Sequence, residues 1–160
     1  MKLRVSLCVV SFLSSTGLAI AEPIGRYECS IVGQVNQQPI GDKEGHRLVD
    51  LLSSCVGVDG LFKGATYSAS SVSEWDGMKG TYVGGTGVVR SPGGLAVNQI
   101  TEGVGSVVMK DGKPAGSEGS GKGLFKFASG TLAALSGKSV RWEARPIGFN
   151  RYSLEVTTDE

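Results

Sequence analysis

A loop that reads GDKEGHRL, residues 41–48, collects the side chains best suited to acid–base chemistry. His46 is the only histidine of the chain, and it could take a proton from a substrate if a neighbouring carboxylate oriented its ring. Asp42 or Glu44 could supply that carboxylate. The alternative interpretation is that the loop is solvated and only forms a turn.

The segment SEWDGMKG, residues 73–80, brings two further carboxylates close together. Glu74 and Asp76 lie on the strand face opposite Trp75, so they could share a site and act as the acid and base of a glycosidase-type reaction. The alternative interpretation is that both carboxylates are exposed to solvent, because they flank a hairpin turn. Glu74, Asp76 and His46 are therefore the candidate catalytic residues.

A third stretch, GSEGSGKG at residues 116–123, is one residue away from the phosphate-binding pattern G-x-x-x-x-G-K-[ST]. Gly123 stands where the magnesium-binding hydroxyl should be. A phosphate loop also leads into a helix, whereas residues 123–129, GLFKFAS, alternate with the period of a strand. We therefore expect no nucleotide site and attribute the near match to the glycine content.

No other catalytic or metal-binding pattern occurs in the sequence. It contains no G-x-S-x-G, H-E-x-x-H or C-x-x-C segment, and a single histidine cannot complete the ligand set of a catalytic metal. The 16 basic and 15 acidic residues nearly balance, so there is no basic excess of the kind that binds nucleic acid. We expect no cofactor, no metal and no nucleic-acid partner.

Residues 1–21 are predicted to be a secretory signal peptide. Lys2 and Arg4 give it a positive start, an apolar run follows, and a small-x-small cleavage site ends at Ala21. Cleavage after Ala21 leaves residues 22–160 as a single domain, secreted or periplasmic. It leaves no transmembrane segment, because no later apolar stretch is long enough to span a bilayer.

Three cysteines are present, and Cys8 would be removed with the signal peptide. Cys29 and Cys55 remain, and in an oxidising compartment such a pair most simply forms a disulfide. The bridge would close a loop of about 25 residues and stabilise the fold by roughly 3 kcal/mol. Two buried free thiols are the alternative, and a two-cysteine metal site fits less well with the lone histidine.

The elements that would position these residues are short strands separated by turns. Glycine makes up 25 of the 160 residues, about twice its usual share of about 7%, and it punctuates stretches rich in Val, Thr, Tyr and Leu. Asp76-Gly77, Ser91–Gly94 and Lys110–Lys113 are predicted hairpin turns. The predicted strands are residues 26–35, 47–58 (or a brief helix), 65–75, 79–90, 95–110 (one bent strand or two), 117–129, 139–147 and 150–156, with a helical turn inside 130–138.

About eight mostly antiparallel strands with no competing long helix predict an all-β domain. An up-and-down β-barrel fits this spacing best, and a two-sheet β-sandwich is the alternative. Alternation assigns the faces of two predicted strands. In residues 65–75 it places Tyr67 and Trp75 on the same face, and in residues 139–147 it places Trp142 and Arg141 on opposite faces. Either Trp142 points into the barrel, or the arginines line a polar, anion-friendly interior.

Aromatic residues and nearby arginines are the candidate ligand-binding residues. Eight-stranded barrels have an interior that is either filled by side chains or holds one small ligand. Phe125 and Phe127 could also close such a cavity, and ordinary core packing is the alternative for every aromatic residue. The ligand-binding candidates are Trp75, Trp142, Tyr67, Tyr82, Arg90 and Arg141.

The segments GTGVVRSPGG (residues 85–94) and GKGLFKFASGTLAALSGKSVRWEARPIG (residues 121–148) resemble the second half of small exported bacterial barrels. Those barrels are related to the allene oxide cyclase and dirigent-type proteins, and the resemblance spans roughly residues 75–156. It implies an eight-stranded, calycin-like barrel that often forms homo-oligomers. No catalytic motif can be transferred, so the resemblance implies no cyclase chemistry.

Ligand binding is the function that these features favour. The expected role is to hold a small apolar or amphipathic ligand in the barrel of an exported protein. A cofactor-independent cyclase or isomerase is one alternative, and a structural or host-interaction protein with a filled barrel is another. Convergent Glu, Arg or His side chains in the cavity would favour the enzyme, and a barrel with no cavity would favour the structural role.

Overall fold

The computed structural model describes residues 23–159. The predicted signal peptide, residues 1–21, lies outside the described residues. Within residues 23–159, no helix has the length and apolar character that a membrane crossing requires.

Strands account for most of the described chain. A short 3-10 helix, Ala133–Leu135, is the helical turn that the sequence predicted. The strands are β1 (Pro23–Ile31), β2 (Asn36–Pro39), β3 (His46–Gly60), β4 (Thr66–Asp76), β5 (Lys79–Ser91), β6 (Gly94–Lys110), β7 (Lys113–Gly130), β8 (Ser139–Gly148) and β9 (Arg151–Thr158).

Eight of these strands close into an antiparallel barrel. The hydrogen-bonded order runs β1-β9-β8-β7-β6-β5-β4-β3, and β1 pairs with β3 to complete the circle. The short strand β2 pairs with the first part of β3 and lies outside the closed ring. The predicted eight-stranded up-and-down barrel is confirmed, and the two-sheet sandwich is not the architecture.

The predicted turns and strands match the structure closely. The three hairpin turns at Asp76-Gly77, Ser91–Gly94 and Lys110–Lys113 connect the strands as expected. The stretch after the phosphate-loop-like segment is strand β7, as its alternation predicted. Two ambiguous stretches are settled, because β3 is a strand over its whole length and β6 is one continuous strand.

One stretch differs from the expectation. No strand was predicted between residues 35 and 47, but Asn36–Pro39 forms strand β2 against Arg47–Asp50, and the predicted strand 26–35 already ends at Ile31 as β1. Its four side chains are exposed, so no buried alternation marks it as a strand in the sequence.

Turns alternate between the two ends of the barrel. We call the end with the β4–β5, β6–β7 and β8–β9 turns the upper end, and the opposite end the lower end. The lower end is plugged by buried apolar side chains from its connections, namely Phe62, Leu132 and Leu135. Phe125 of β7 packs against Phe62 with ring centroids 6.2 Å apart.

A disulfide ties the first strand to the barrel. Cys29 of β1 and Cys55 of β3 face each other in the strand register, and their sulfur atoms are bonded. Both residues are almost fully buried. The predicted disulfide is therefore present, and it crosses the pairing that closes the barrel.

Several glycines inside the strands make room for aromatic rings. A Cβ atom on Gly87 would lie 2.3 Å from Cε2 of Tyr67, and one on Gly80 would lie 2.6 Å from Cε2 of Trp75. A Cβ on Gly103 would meet Trp142 at 2.6 Å. These distances are shorter than carbon atoms tolerate, so the aromatic rings fit only because the opposing residues lack side chains.

Gly87→Ala tests this packing, with Gly84→Ala on the same strand as its matched control. The added methyl group of Gly87→Ala collides with the Tyr67 ring, so we expect the free energy of unfolding to fall by about 1–3 kcal/mol. Nothing lies within 4 Å of a Cβ on Gly84, so Gly84→Ala should change it by less than about 0.5 kcal/mol. Urea unfolding followed by circular dichroism measures both, and equal effects would contradict the packing argument.

Candidate functional site

The barrel encloses a cavity of about 140 Å³ between the lower plug and the upper end. Its wall combines apolar side chains with hydroxyl and amide groups from most of the barrel strands. It extends to Ser117 and Glu118 of β7, both of which are exposed, so the cavity reaches the surface there. We refer to this cavity and its wall as the lumen.

All four tyrosines of the chain line the lumen. They come from two pairs of neighbouring strands, β1 with β9 and β4 with β5. Tyr27 lies on β1, Tyr67 on β4, Tyr82 on β5 and Tyr152 on β9. The closed barrel therefore gathers every phenol of the chain around one cavity.

The Tyr27 hydroxyl is buried without a hydrogen-bond partner among the described residues. The side chain is only 2% exposed, and its ring stacks on Phe62 with centroids 4.7 Å apart. A buried hydroxyl without a partner is costly, by about 1–3 kcal/mol, and such groups are rare in folded proteins.

Two other tyrosines are held by defined contacts. The Tyr67 hydroxyl lies 3.1 Å from Nδ2 and 3.2 Å from Oδ1 of Asn98 on β6. The Tyr82 ring meets Trp142 edge-on, with centroids 5.1 Å apart, and the Trp142 indole donates a hydrogen bond to the carbonyl oxygen of Lys122. These contacts fix the orientation of the rings around the lumen.

Burial keeps the lumen tyrosines protonated. It raises the pKa of Tyr67 to about 12 and that of Tyr82 to about 12, and it also raises the pKa of Tyr27 and Tyr152. For Tyr152 a hydrogen bond with Ser53 acts in the opposite direction and only partly offsets burial. At neutral pH the lumen therefore presents phenol groups that can donate hydrogen bonds.

The lumen carries almost no formal charge. Among the described residues that line it, Glu118 is the only one of an acidic or basic type. Glu118 accepts a hydrogen bond from the Ser106 hydroxyl at 3.1 Å, at the exposed margin of the cavity. Ionic ligands would find no counter-charge deeper inside, which favours an uncharged ligand.

Three of the six candidate ligand-binding residues line the lumen. Tyr67, Tyr82 and Trp142 do so, and Trp142 therefore points inward. Trp75 is buried beside the lumen, where its indole donates to the Ser73 hydroxyl at 2.8 Å. Arg90 and Arg141 lie on the outer face, and Arg141 pairs with Asp159.

Sequence reasoning missed Tyr27, Tyr152 and Asn98. Tyr27 alternates with Cys29 in a stretch that was predicted to be a strand, so it shares the face of a buried cysteine. That alternation is a signal that could have identified it. No comparable pattern marks Asn98 as a lumen residue.

The candidate catalytic residues meet on the outside of the barrel, at its upper end. His46 Nδ1 lies 2.5 Å from Asp42 Oδ1, and His46 Nε2 lies 2.7 Å from Glu74 Oε1. Lys43 pairs with Asp76 at 2.6 Å. The β2–β3 loop is thereby fastened to the β4–β5 hairpin, and we call these five residues the upper clasp.

The upper clasp holds the His46 ring between two carboxylates. The hydrogen bonds that the His46 ring makes to Asp42, and secondly to Glu74, raise the pKa of His46, and the bond to His46 lowers the pKa of Asp42. Both ring nitrogens of His46 are engaged by carboxylates, so neither is free to take a proton from a substrate. Glu44, the other expected orienting residue, is exposed in the loop.

Over residues 23–159, no group of three or more His, Cys, Asp and Glu side chains could hold a metal ion.

Alkaline titration tests the burial of the four tyrosines. Their folded-state pKa lies above the unfolded value of 10.0, so the unfolded chain releases these protons first as the pH rises. The stability that this difference provides is complete below pH 10 and is lost up to about pH 12. We expect tyrosinate absorbance to appear together with the loss of barrel circular dichroism. Ionisation near pH 10 in an intact barrel would contradict the burial.

NMR titration of the single histidine tests the upper clasp. The His46 midpoint should lie above 6.5, so its contribution to stability is complete below that pH and is lost as the pH rises through the folded value. Asp42→Asn and Glu74→Gln should each lower the midpoint, because each removes one carboxylate partner. Glu44→Gln, the control in the same loop, should leave it unchanged. A wild-type midpoint at or below 6.5 would refute the arrangement.

No protein-family model matches this chain, and no match was found among curated proteins or among solved structures. We therefore interpret the lumen from its own geometry.

Proposed function

We propose that this barrel binds a small, uncharged amphipathic ligand in its lumen. The observation that supports this most directly is the cavity of about 140 Å³ inside the barrel, whose wall combines apolar side chains with phenol, hydroxyl and amide groups. Aromatic rings supply apolar contact area around it, and tyrosine and amide groups supply hydrogen bonds. A few placed polar groups in an apolar wall are what orient a small ligand.

The lining favours binding over the two alternatives. A cyclase or isomerase needs an acid and a base at the reacting atoms, and the described lumen wall offers buried phenols with raised pKa values and one carboxylate at its margin. A purely structural barrel has no need for a cavity, because side chains can fill an eight-stranded interior completely. Ligand binding uses both the cavity and its polar groups.

We further propose that the protein works outside the cytoplasm. The Cys29–Cys55 disulfide supports this, because disulfides persist in oxidising compartments. The closed eight-stranded antiparallel barrel is also consistent with the likeness to the allene oxide cyclase and dirigent-type barrels. We retain that relationship, and assembly of identical subunits, as proposals.

Filling the lumen should weaken ligand binding without unfolding the barrel. Ala69 lines the lumen, and its neighbour Ser68 points outward on the same strand. Ala69→Leu should therefore weaken binding of benzyl alcohol, a neutral amphipathic probe, by at least about tenfold, whereas the matched variant Ser68→Leu should not. Thermal unfolding should show that both variants retain the fold.

The two tryptophans provide the readout. In proton–nitrogen NMR spectra, benzyl alcohol should shift the indole signal of Trp142, which lines the lumen, more than that of Trp75, which does not. Native mass spectrometry of protein purified without denaturation would also detect any ligand that the protein acquired in its host. Failure of benzyl alcohol to bind, together with a bare native mass, would refute the proposal.

A further inference from the structure

We propose that the ligand of the lumen carries a hydroxyl-rich, sugar-like group, and that this group binds in a polar groove on the outer wall of the barrel. The inference rests on the proposed binding function and names the chemical class of its ligand, a glycoside with a small apolar substituent. The apolar substituent lies in the lumen, and the hydroxyl-rich part lies outside, on strands β5–β8.

The groove crosses the outer face of four neighbouring strands near the upper end. It measures about 530 Å³, which is within the range of roughly 300–1,000 Å³ for sites that hold drug-sized ligands. Side chains alternate along a strand, and Gly105 and Gly119 of the groove floor face Trp75 and Tyr82 inside, so their neighbours point outward. Polar side chains from all four strands line the groove, among them Lys79, Thr81, Ser106, Ser120, Glu143 and Arg145.

The groove and the lumen meet at β7 and β8. Both are lined by Glu118, Gly119 and Ala144, so a single layer of backbone separates them there. Among the described residues, the ladder between β7 and β8 runs from the Gly119–Ala144 pair toward the lower end only. Ser117, which is exposed and lines the lumen, lies just beyond this last pair. A ligand can therefore occupy the lumen and extend past Ser117 and Glu118 into the groove.

The lumen suits the apolar part of such a ligand. Its volume of about 140 Å³ is close to that of an apolar cavity in another protein, about 150 Å³, which binds benzene. Tyr82 and Trp142 meet edge-on in its wall with ring centroids 5.1 Å apart, and they offer apolar contact area. A group of benzyl size can fill this space while the rest of the molecule projects outward.

The charges of the groove favour a neutral partner. Lys79 and Arg145 are balanced by Glu118 and Glu143, so these four side chains carry no net charge that would select an ion. Arg145 already pairs with Glu143 at 2.7 Å. An anionic group in the groove would meet two carboxylates, and a cationic group would meet an ammonium and a guanidinium.

Hydroxyl groups match this mixture, because each hydroxyl can both donate and accept a hydrogen bond. Lys79 and Arg145 offer donors, the two glutamates offer acceptors, and the serine and threonine hydroxyls offer both. Glu118 accepts from Ser106 at 3.1 Å through Oε1, and a carboxylate has about four acceptor sites, so it retains capacity for a ligand hydroxyl. A sugar ring presents several hydroxyls at fixed positions, which suits a site with several donors and acceptors.

Four compounds test the assignment on the whole mature chain: benzyl alcohol, benzyl β-glucoside, phenylalanine and free glucose. The glucoside adds a neutral sugar to the benzyl group, and phenylalanine adds a zwitterionic group instead. Wild-type protein should bind the glucoside at least about tenfold more tightly than benzyl alcohol, the effect of one or two net hydrogen bonds. Phenylalanine and glucose should bind more weakly than both. In NMR titrations the glucoside should shift the Trp142 indole signal and the Ser120 amide signal, whereas benzyl alcohol should shift only the former.

Ser120→Phe blocks the groove and leaves the lumen unchanged. It should reduce the affinity for benzyl glucoside about tenfold and leave that for benzyl alcohol unchanged. Ser120 is exposed, so thermal unfolding should show an intact fold. Ser68→Phe, at an outward-facing serine of β4 away from the groove, is the matched control and should change neither affinity. Lys79→Ala removes a donor without adding bulk and should weaken glucoside binding about threefold.

The outcomes separate this inference from the function on which it rests. If the glucoside binds no more tightly than benzyl alcohol, or if Ser120→Phe affects it no more than Ser68→Phe does, the groove assignment is wrong while lumen binding stands. If phenylalanine binds most tightly, the groove takes a zwitterion and the sugar-like class is wrong. If neither the glucoside nor benzyl alcohol binds and the native mass is bare, both proposals fail.

Discussion

The interior of an eight-stranded barrel is narrow, with a width set by the number of strands. The rest of this structure depends on which side chains fill that interior. Large aromatic rings fit into this interior only where the residue that faces them is a glycine. Gly80, Gly87 and Gly103 face Trp75, Tyr67 and Trp142, respectively. Where rings and glycines do not fill the space completely, the lumen remains. The cavity is thus a consequence of packing large residues against very small ones.

Strand alternation and turn chemistry were enough to predict much of the fold. Period-two alternation correctly placed Tyr67 and Trp75 on one face of β4, which is the buried face in the structure, and Asp76-Gly77 correctly marked a hairpin. The same reasoning correctly rejected a helix after the phosphate-loop-like segment, which is part of β7. These features depend on residues that are near each other in sequence, so local physical rules capture them.

The candidate site was less predictable, because it depends on contacts between distant strands. Tyr27 and Tyr152 come from the first and last strands, and only closure of the barrel brings them to the same cavity as Tyr67. The contact between His46 and Glu74 likewise requires the register of β3 against β4. Glycine posed a further difficulty, since a residue that makes room for a ring looks like a turn former in the sequence.

Pairing of the first strand with the last has a kinetic consequence. Gly25 of β1 pairs with Val156 of β9, so the ring cannot close until nearly the entire chain is available. Contacts between such distant residues slow folding, because a long loop must be ordered before they form. Until closure, β1 and β9 expose unpaired edges that can bind other chains. Closure of the ring therefore follows synthesis of β9, and the open intermediates that precede it are the species most prone to aggregate.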